Sequence, residues 1–157
     1  MRSVIVAVSL LALLVACGSS GNQSPAHGVT AVTRQLLQSS ASDRAAGQSL
    51  DLVRVIIPAG QTIAPHTHPG VQLAFIADGT LTYSVIQGEV QVTRAAGTEL
   101  ARTETVRSGQ TSEIRPGDAL RETPGMVHAA RNAGKKAIVI YISSLFPEGA
   151  PASSPVP

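Results

Sequence analysis

The chain has no tryptophan and only two phenylalanines and two tyrosines in 157 residues, which leaves no aromatic platform on which bases or sugars would stack. One cysteine excludes an internal disulfide. Neither sign of charge dominates. Twelve Lys and Arg face ten Asp and Glu, a net of +2. No basic cluster appears although the pI is about 9.1, so nucleic-acid binding has no electrostatic footprint. No apolar run is long enough to span a bilayer comfortably, and no long amphipathic helix is visible. Apolar residues still make up 43% of the chain, enough for one core. The length suits a single domain.

What is present begins with Val4 to Ala16, a run of thirteen residues after Arg2 that is apolar except for Ser9. That is the length of a signal-peptide core. It ends in Leu14-Val15-Ala16-Cys17, followed by Gly18-Ser19-Ser20-Gly21. This resembles a bacterial lipobox, which implies cleavage after residue 16 and a lipid on Cys17. The cysteine is then a membrane anchor in the cell envelope and not a redox thiol. Gly18 carries no acidic retention signal, which implies the outer membrane in a Gram-negative cell. Residues 17–28 are small and polar and read as a tether containing His27. Residues 147–157 are rich in Pro, Ala and Ser and read as a disordered tail. The folded domain is expected over residues 29–146.

Within it the apolar period is that of strands. Leu52 to Ile57, Val71 to Ala77, Leu81 to Ile86, Val90 to Thr93, Thr103 to Arg107, Gln110 to Ile114, Met126 to Ala130 and Ala137 to Ile142 are separated by Gly, Pro, Asn and Asp. Val32 to Gln38 fits an edge strand. Gln87-Gly88 reads as a hairpin turn. Many short strands with frequent turns predict an all-β fold, a closed barrel or sandwich.

Three histidines fall inside this domain. His66 and His68 are two apart, which on a strand aims both rings to one side. Neutral imidazole ligates Zn, Fe, Cu and Ni. By itself the pair serves a solvated surface as well as a site. Gln72 follows four residues on, and His128 comes after Pro124-Gly125. The frame around them is more specific. Gly60, five residues, His66-Thr67-His68, three residues, Gln72, six residues and Gly79 form one block. Gly117, five residues, Thr123-Pro124-Gly125, two residues, His128, three residues and Asn132 form another. These blocks resemble the two motifs of the cupin family over roughly residues 50–142. The resemblance implies a single jelly-roll, double-stranded β-helix barrel. It also implies a mononuclear divalent transition metal on His66, His68 and His128, with Gln72 as fourth ligand, and is compatible with a homodimer paired through strands.

Two positions depart from the pattern. Thr123 stands where the motif has Pro, which adjusts a turn. Gln72 stands where the family has its metal-ligating Glu. A neutral ligand would leave the full charge of the ion, favouring an anionic small-molecule ligand. It would favour Fe, Zn, Ni or Cu over Mn. Arg54 and Tyr141 are candidate substrate contacts. Arg121 and Glu122 read as a solvated strand face, with one of them able to turn inward as an anion contact or base. If Gln72 faces the cavity, Ala74 and Ile76 share its side. No nucleophile–base pair or phosphate-cradling loop is recognisable. Two function classes follow: a metal-dependent enzyme (oxygenase, lyase or isomerase) acting on a small molecule, or an envelope protein that binds a small molecule or metal without turnover.

Overall fold

The structure, a computed structural model, describes residues 30–42 and 44–156. Cys17, His27 and the expected signal segment lie outside them. In chain order the strands are β1 (Thr33–Ala41), β2 (Gln48–Ile57), β3 (Thr62–Thr67), β4 (Val71–Asp78), β5 (Leu81–Gln87) and β6 (Glu89–Arg94). They continue as β7 (Arg102–Arg107), β8 (Thr111–Ile114), β9 (Ala119–Glu122), β10 (Val127–Arg131), β11 (Ile138–Pro147) and β12 (Ser154–Pro155). No helix occurs among the described residues. The all-β expectation holds, and of the expected edge strand Val32 to Gln38, residues 33–38 fall on β1.

The strands form two sheets. One has the order β1-β2-β11-β4-β9-β6-β7, and the other β12-β3-β10-β5-β8. All pairings are antiparallel. Alternation decides what is buried. Val53, Val55 and Ile57 of β2, Ile76 of β4, Leu81 and Val85 of β5, and Val90 and Val92 of β6 turn inward, between the sheets. The residues between them point out.

The expected hairpin at Gln87-Gly88 is not one. β5 pairs with β8 and β10, while β6 pairs with β7 and β9. Gly88, at φ +88°, turns the chain from one sheet to the other. Val85 and Val90 both have to reach the core, and crossing between sheets achieves this where a flat hairpin would not. Gly70 has a different role. A Cβ there would collide with the Leu145 carbonyl oxygen, so glycine lets the β3–β4 turn lie against β11. Asn132 donates through Nδ2 to the carbonyls of Ile57 and Lys136, both at 2.8 Å, and accepts from Gly134 N–H. Its role is to clamp a loop.

The segment after Phe146, expected as a tail, carries β11 to Pro147 and then lays Ser154–Pro155 along β3, with Ser154 opposite Thr67 and Pro155 opposite His66. Free backbone groups on the β3 edge make this pairing favourable. Val156 N–H bonds the Pro65 carbonyl at 3.0 Å.

One polar knot joins the sheets away from the histidines. Asp118 accepts from Arg94 Nη1 (2.6 Å), Arg115 N–H (3.0 Å) and Ala95 N–H (3.1 Å). Arg94 also donates to Ser112 Oγ and the Glu113 carbonyl on β8, both at 2.7 Å. Burial alone would raise the Asp118 carboxyl. The Arg115 and Ala95 amides and the Arg94 guanidinium outweigh it and hold that carboxyl below the usual range. Its contribution is therefore complete above the unfolded value of 3.8 and is lost as pH falls through that value and below. Asp118→Ala is expected to lower the unfolding free energy by about 2–4 kcal/mol at pH 7. Urea titration checks this, and equal stability of variant and parent would refute it.

Candidate metal centre

Both sheets contribute to one polar cluster in the barrel. His66 is the penultimate residue of β3, His68 lies one residue beyond the strand, and His128 sits on β10 directly opposite His66. Gln72 comes from β4 in the other sheet. The ring centroids of the three histidines are 4.2–5.1 Å apart. One ligating atom from each lies within 4.8 Å of the other two. His68, His128 and Gln72 are buried, and His66 is half-buried. The expected convergence of His66, His68, Gln72 and His128 is what the structure has.

Two histidines have their tautomers set by the backbone. His66 Nδ1–H donates to the Ala64 carbonyl at 2.8 Å, and His68 Nδ1–H donates to the Ala152 carbonyl at 2.7 Å. Each then presents an Nε2 lone pair. Burial pushes His128 down to about 4 and also lowers His66. Both are therefore neutral at pH 7, the form that binds metal. His128 Nδ1 is buried with no hydrogen-bond partner among the described residues.

Of Arg121 and Glu122, it is Glu122 that turns inward and joins this group. It is 3% exposed and sits on β9 directly opposite Gln72. Its Oε1 accepts from Tyr83 Oη at 2.7 Å and lies 3.5 Å from His128 Nε2. Its Oε2 accepts from Gln72 Nε2 and lies 3.6 Å from His68 Nε2. Gln72 thus turns its amide nitrogen, and not its carbonyl, toward Glu122 and toward His68 Nε2, 3.1 Å away. The expected solvated face is half right: Arg121 is exposed and Glu122 is not. Strand parity was the available signal. Leu120 belongs in the core, so Glu122 two residues on must point the same way. The same parity puts Tyr83 inside between Leu81 and Val85. Burial, and then the adjacent carboxylate, raise the Tyr83 hydroxyl, so it stays protonated and donates.

The cluster opens into a cavity of about 320 Å³ walled by Val55, Ile57, Ala74, Leu120 and Ile140. Ala74 lies on the Gln72 side as alternation required. Arg34 lines the cavity and is exposed.

Arg54 and Tyr141, the expected substrate contacts, are not in the cavity. They lie opposite each other on the outer face of the seven-stranded sheet, where Arg54 Nη2 donates to Gln35 Oε1 at 2.7 Å. Their neighbours Val53, Val55 and Ile140 occupy the inward positions, which forces Arg54 and Tyr141 outward.

No protein-family model matches the chain, and no curated protein matches it in sequence. Solved structures do match. A cupin 2 conserved barrel domain protein from Leptotrichia buccalis superposes with a TM-score of 0.51 and 14% identity, over 76% of this chain and 43% of its own. A cupin 2 domain-containing protein from Halorhodospira halophila gives 0.53 and 10%, over 81% and 71%. The DMSP lyase DddQ from Ruegeria pomeroyi DSS-3 gives 0.54 and 18%, over 87% and 57%. The fold is the cupin barrel. The chain spans about half the length of the Leptotrichia and Ruegeria structures. As a cupin barrel it places its histidine cluster between the two sheets.

The donor set suits a divalent metal. Three imidazoles and a carboxylate converge, and Glu122 is buried without a Lys or Arg within ion-pair distance among the described residues. A buried carboxylate held only by neutral donors costs several kcal/mol. Because Tyr83 is one of those donors, Tyr83→Phe is expected to destabilise the metal-free protein by about 1–3 kcal/mol. A melting temperature equal to the parent's would show that the bond contributes nothing.

Proposed function

We propose that this protein is a metal-dependent enzyme of the cell envelope that acts on a small molecule. The reading rests on one observation: His66, His68 and His128 converge, largely buried, beside an apolar cavity that all three line. A bound divalent metal would supply Lewis acidity toward a coordinating oxygen of the substrate. The chain's own residues do the rest. Ala64 and Ala152 hold the His66 and His68 rings in the ligating tautomer. Val55, Ile57 and Leu120 keep water from the reacting end, which strengthens every charge interaction there. Tyr83 keeps a proton on its hydroxyl beside the cluster. Arg34, which also lines the cavity, offers a guanidinium to an anionic group of the ligand. A small molecule with an oxygen donor, an apolar body and a negative charge fits these contacts.

The alternative is capture of such a molecule without turnover. It draws support from Glu122, the one carboxylate of the cluster, whose two oxygens are already engaged by Tyr83 and Gln72. The lipobox-like segment around Cys17 supports tethering to the envelope membrane. Exposed Leu52, Leu73, Phe75 and Tyr141 on the outer sheet face support pairing of two barrels.

Metal content by mass spectrometry tests the reading. The full-length protein is expected to carry close to one Fe, Ni, Cu or Zn per chain, and His66→Ala to lose it. No binding after reconstitution with any of these ions, with the fold intact by circular dichroism, would overturn it.

A further inference from the structure

We infer that Glu122 is the anionic ligand of the metal centre and that Gln72 is its positioning residue. The carboxylate and the amide have exchanged strands across the β4–β9 pair. The assignment rests on the metal-centre reading above and deepens it.

Register comes first. Gln72 and Glu122 are direct cross-strand partners on the inward face of the seven-stranded sheet. A carboxylate on either strand therefore reaches the same layer of the barrel. β4 and β9 supply that layer from one side, and β3 and β10 supply the histidines from the other. Moving the acid from position 72 to position 122 keeps it between the sheets and shifts it by one strand.

Distance comes second. Ligands 2.0–2.1 Å from a tetrahedral metal lie about 3.4 Å from one another. Glu122 Oε1 is 3.5 Å from His128 Nε2, and Glu122 Oε2 is 3.6 Å from His68 Nε2. Both gaps match the edge of a coordination shell. They are too long for hydrogen bonds of ordinary strength. Gln72 reaches His68 Nε2 with its amide nitrogen, an atom that cannot ligate.

Charge comes third. A glutamate at 72 would face Glu122 across the strand pair at hydrogen-bond range, two buried like charges. A glutamine there donates to Glu122 Oε2 instead. Tyr83 Oη donates to Oε1, so both oxygens are oriented. Among the described residues no Lys or Arg lies within ion-pair distance of Glu122, while the other buried carboxylate, Asp118, has Arg94. The acid at the histidines is the one left for a cation that the chain does not provide.

The consequence corrects the expectation drawn from Gln72. The centre is not a neutral three-histidine site carrying the full charge of the ion. One negative charge is restored, and hard ions such as Mn²⁺ are no longer disfavoured.

The test compares the full-length protein with Glu122→Gln and with the exchanged pair Gln72→Glu/Glu122→Gln. Each is titrated with Mn²⁺ by calorimetry and with Co²⁺ by visible absorption, and folding is followed by circular dichroism. In the parent, one ion per chain is expected. Glu122→Gln is expected to weaken binding by more than the roughly 10–100-fold that loss of an outer hydrogen-bond partner costs, and to change the Co²⁺ ligand-field bands. The exchanged pair, which keeps one carboxylate and one amide in the layer, is expected to recover most of the affinity even if the single variant folds poorly. Equal affinity and an unchanged Co²⁺ spectrum in Glu122→Gln would overturn the ligand assignment while leaving the metal centre standing. Failure of the exchanged pair to recover affinity would overturn the exchange. A parent that binds neither Mn²⁺ nor Co²⁺ would overturn this inference, and one that also takes up no Fe, Ni, Cu or Zn would overturn the metal centre with it.

Discussion

A carboxylate buried between two sheets is the constraint around which this barrel is arranged. A carboxyl group cannot be placed there on dispersion and apolar contact alone, because taking it out of water costs more than a strand of valines returns. The chain answers with donors from both layers. Tyr83 reaches across from the five-stranded sheet, and Gln72 approaches from the neighbouring strand of the seven-stranded one. Two imidazoles close the remaining sides. The polar centre is therefore a joint between the sheets as well as a candidate site, and the apolar side chains around it both shape the cavity and raise the cost of leaving any of these groups unpaired.

Register converts this local demand into architecture. His66 faces His128 across β3–β10, and Gln72 faces Glu122 across β4–β9. A slip of one residue in either pair would turn a polar group to the outer face and a solvent-facing residue into the cavity. The knot at Asp118 and Arg94 and the loop clamp at Asn132 hold the ends of these strands, so the framework residues of both motifs act at a distance from the chemistry. The motif asparagine shows this well, since all its hydrogen bonds go to backbone.

Much of the fold was legible because it depends on period. Alternating valine, isoleucine and leucine between Gly- and Pro-marked turns placed nine of the strands, and the edge strand β1 among them. The histidine set was legible because its members lie at motif spacing in a frame of glycines. What was not legible depends on which strand lies beside which. Glu122 and Gln72 are 50 residues apart, and nothing in their spacing announces that they pair. The crossing at Gly88 was misread for the same reason, since a glycine turn looks alike whether the chain returns to its own sheet or crosses to the other. Arg54 and Tyr141 are a different case. Their neighbours Val53, Val55, Ile140 and Ile142 already carried the parity that sends both outward.

The C-terminal segment shows how far composition can mislead about a role. Pro, Ala and Ser bury little and read as tail, yet Ser154–Pro155 needs only an open strand edge to attach. Once Ser154–Pro155 is laid along β3, the Ala152 carbonyl stands 2.7 Å from His68 Nδ1 and leaves the lone pair on Nε2, which faces the Gln72 amide. A segment with almost no hydrophobic stake thereby sets the protonation geometry of a ligand. The hydrogen bond behind the ring and the lone pair in front of it belong to one imidazole, so the placement of Ala152 and the orientation of His68 depend on each other.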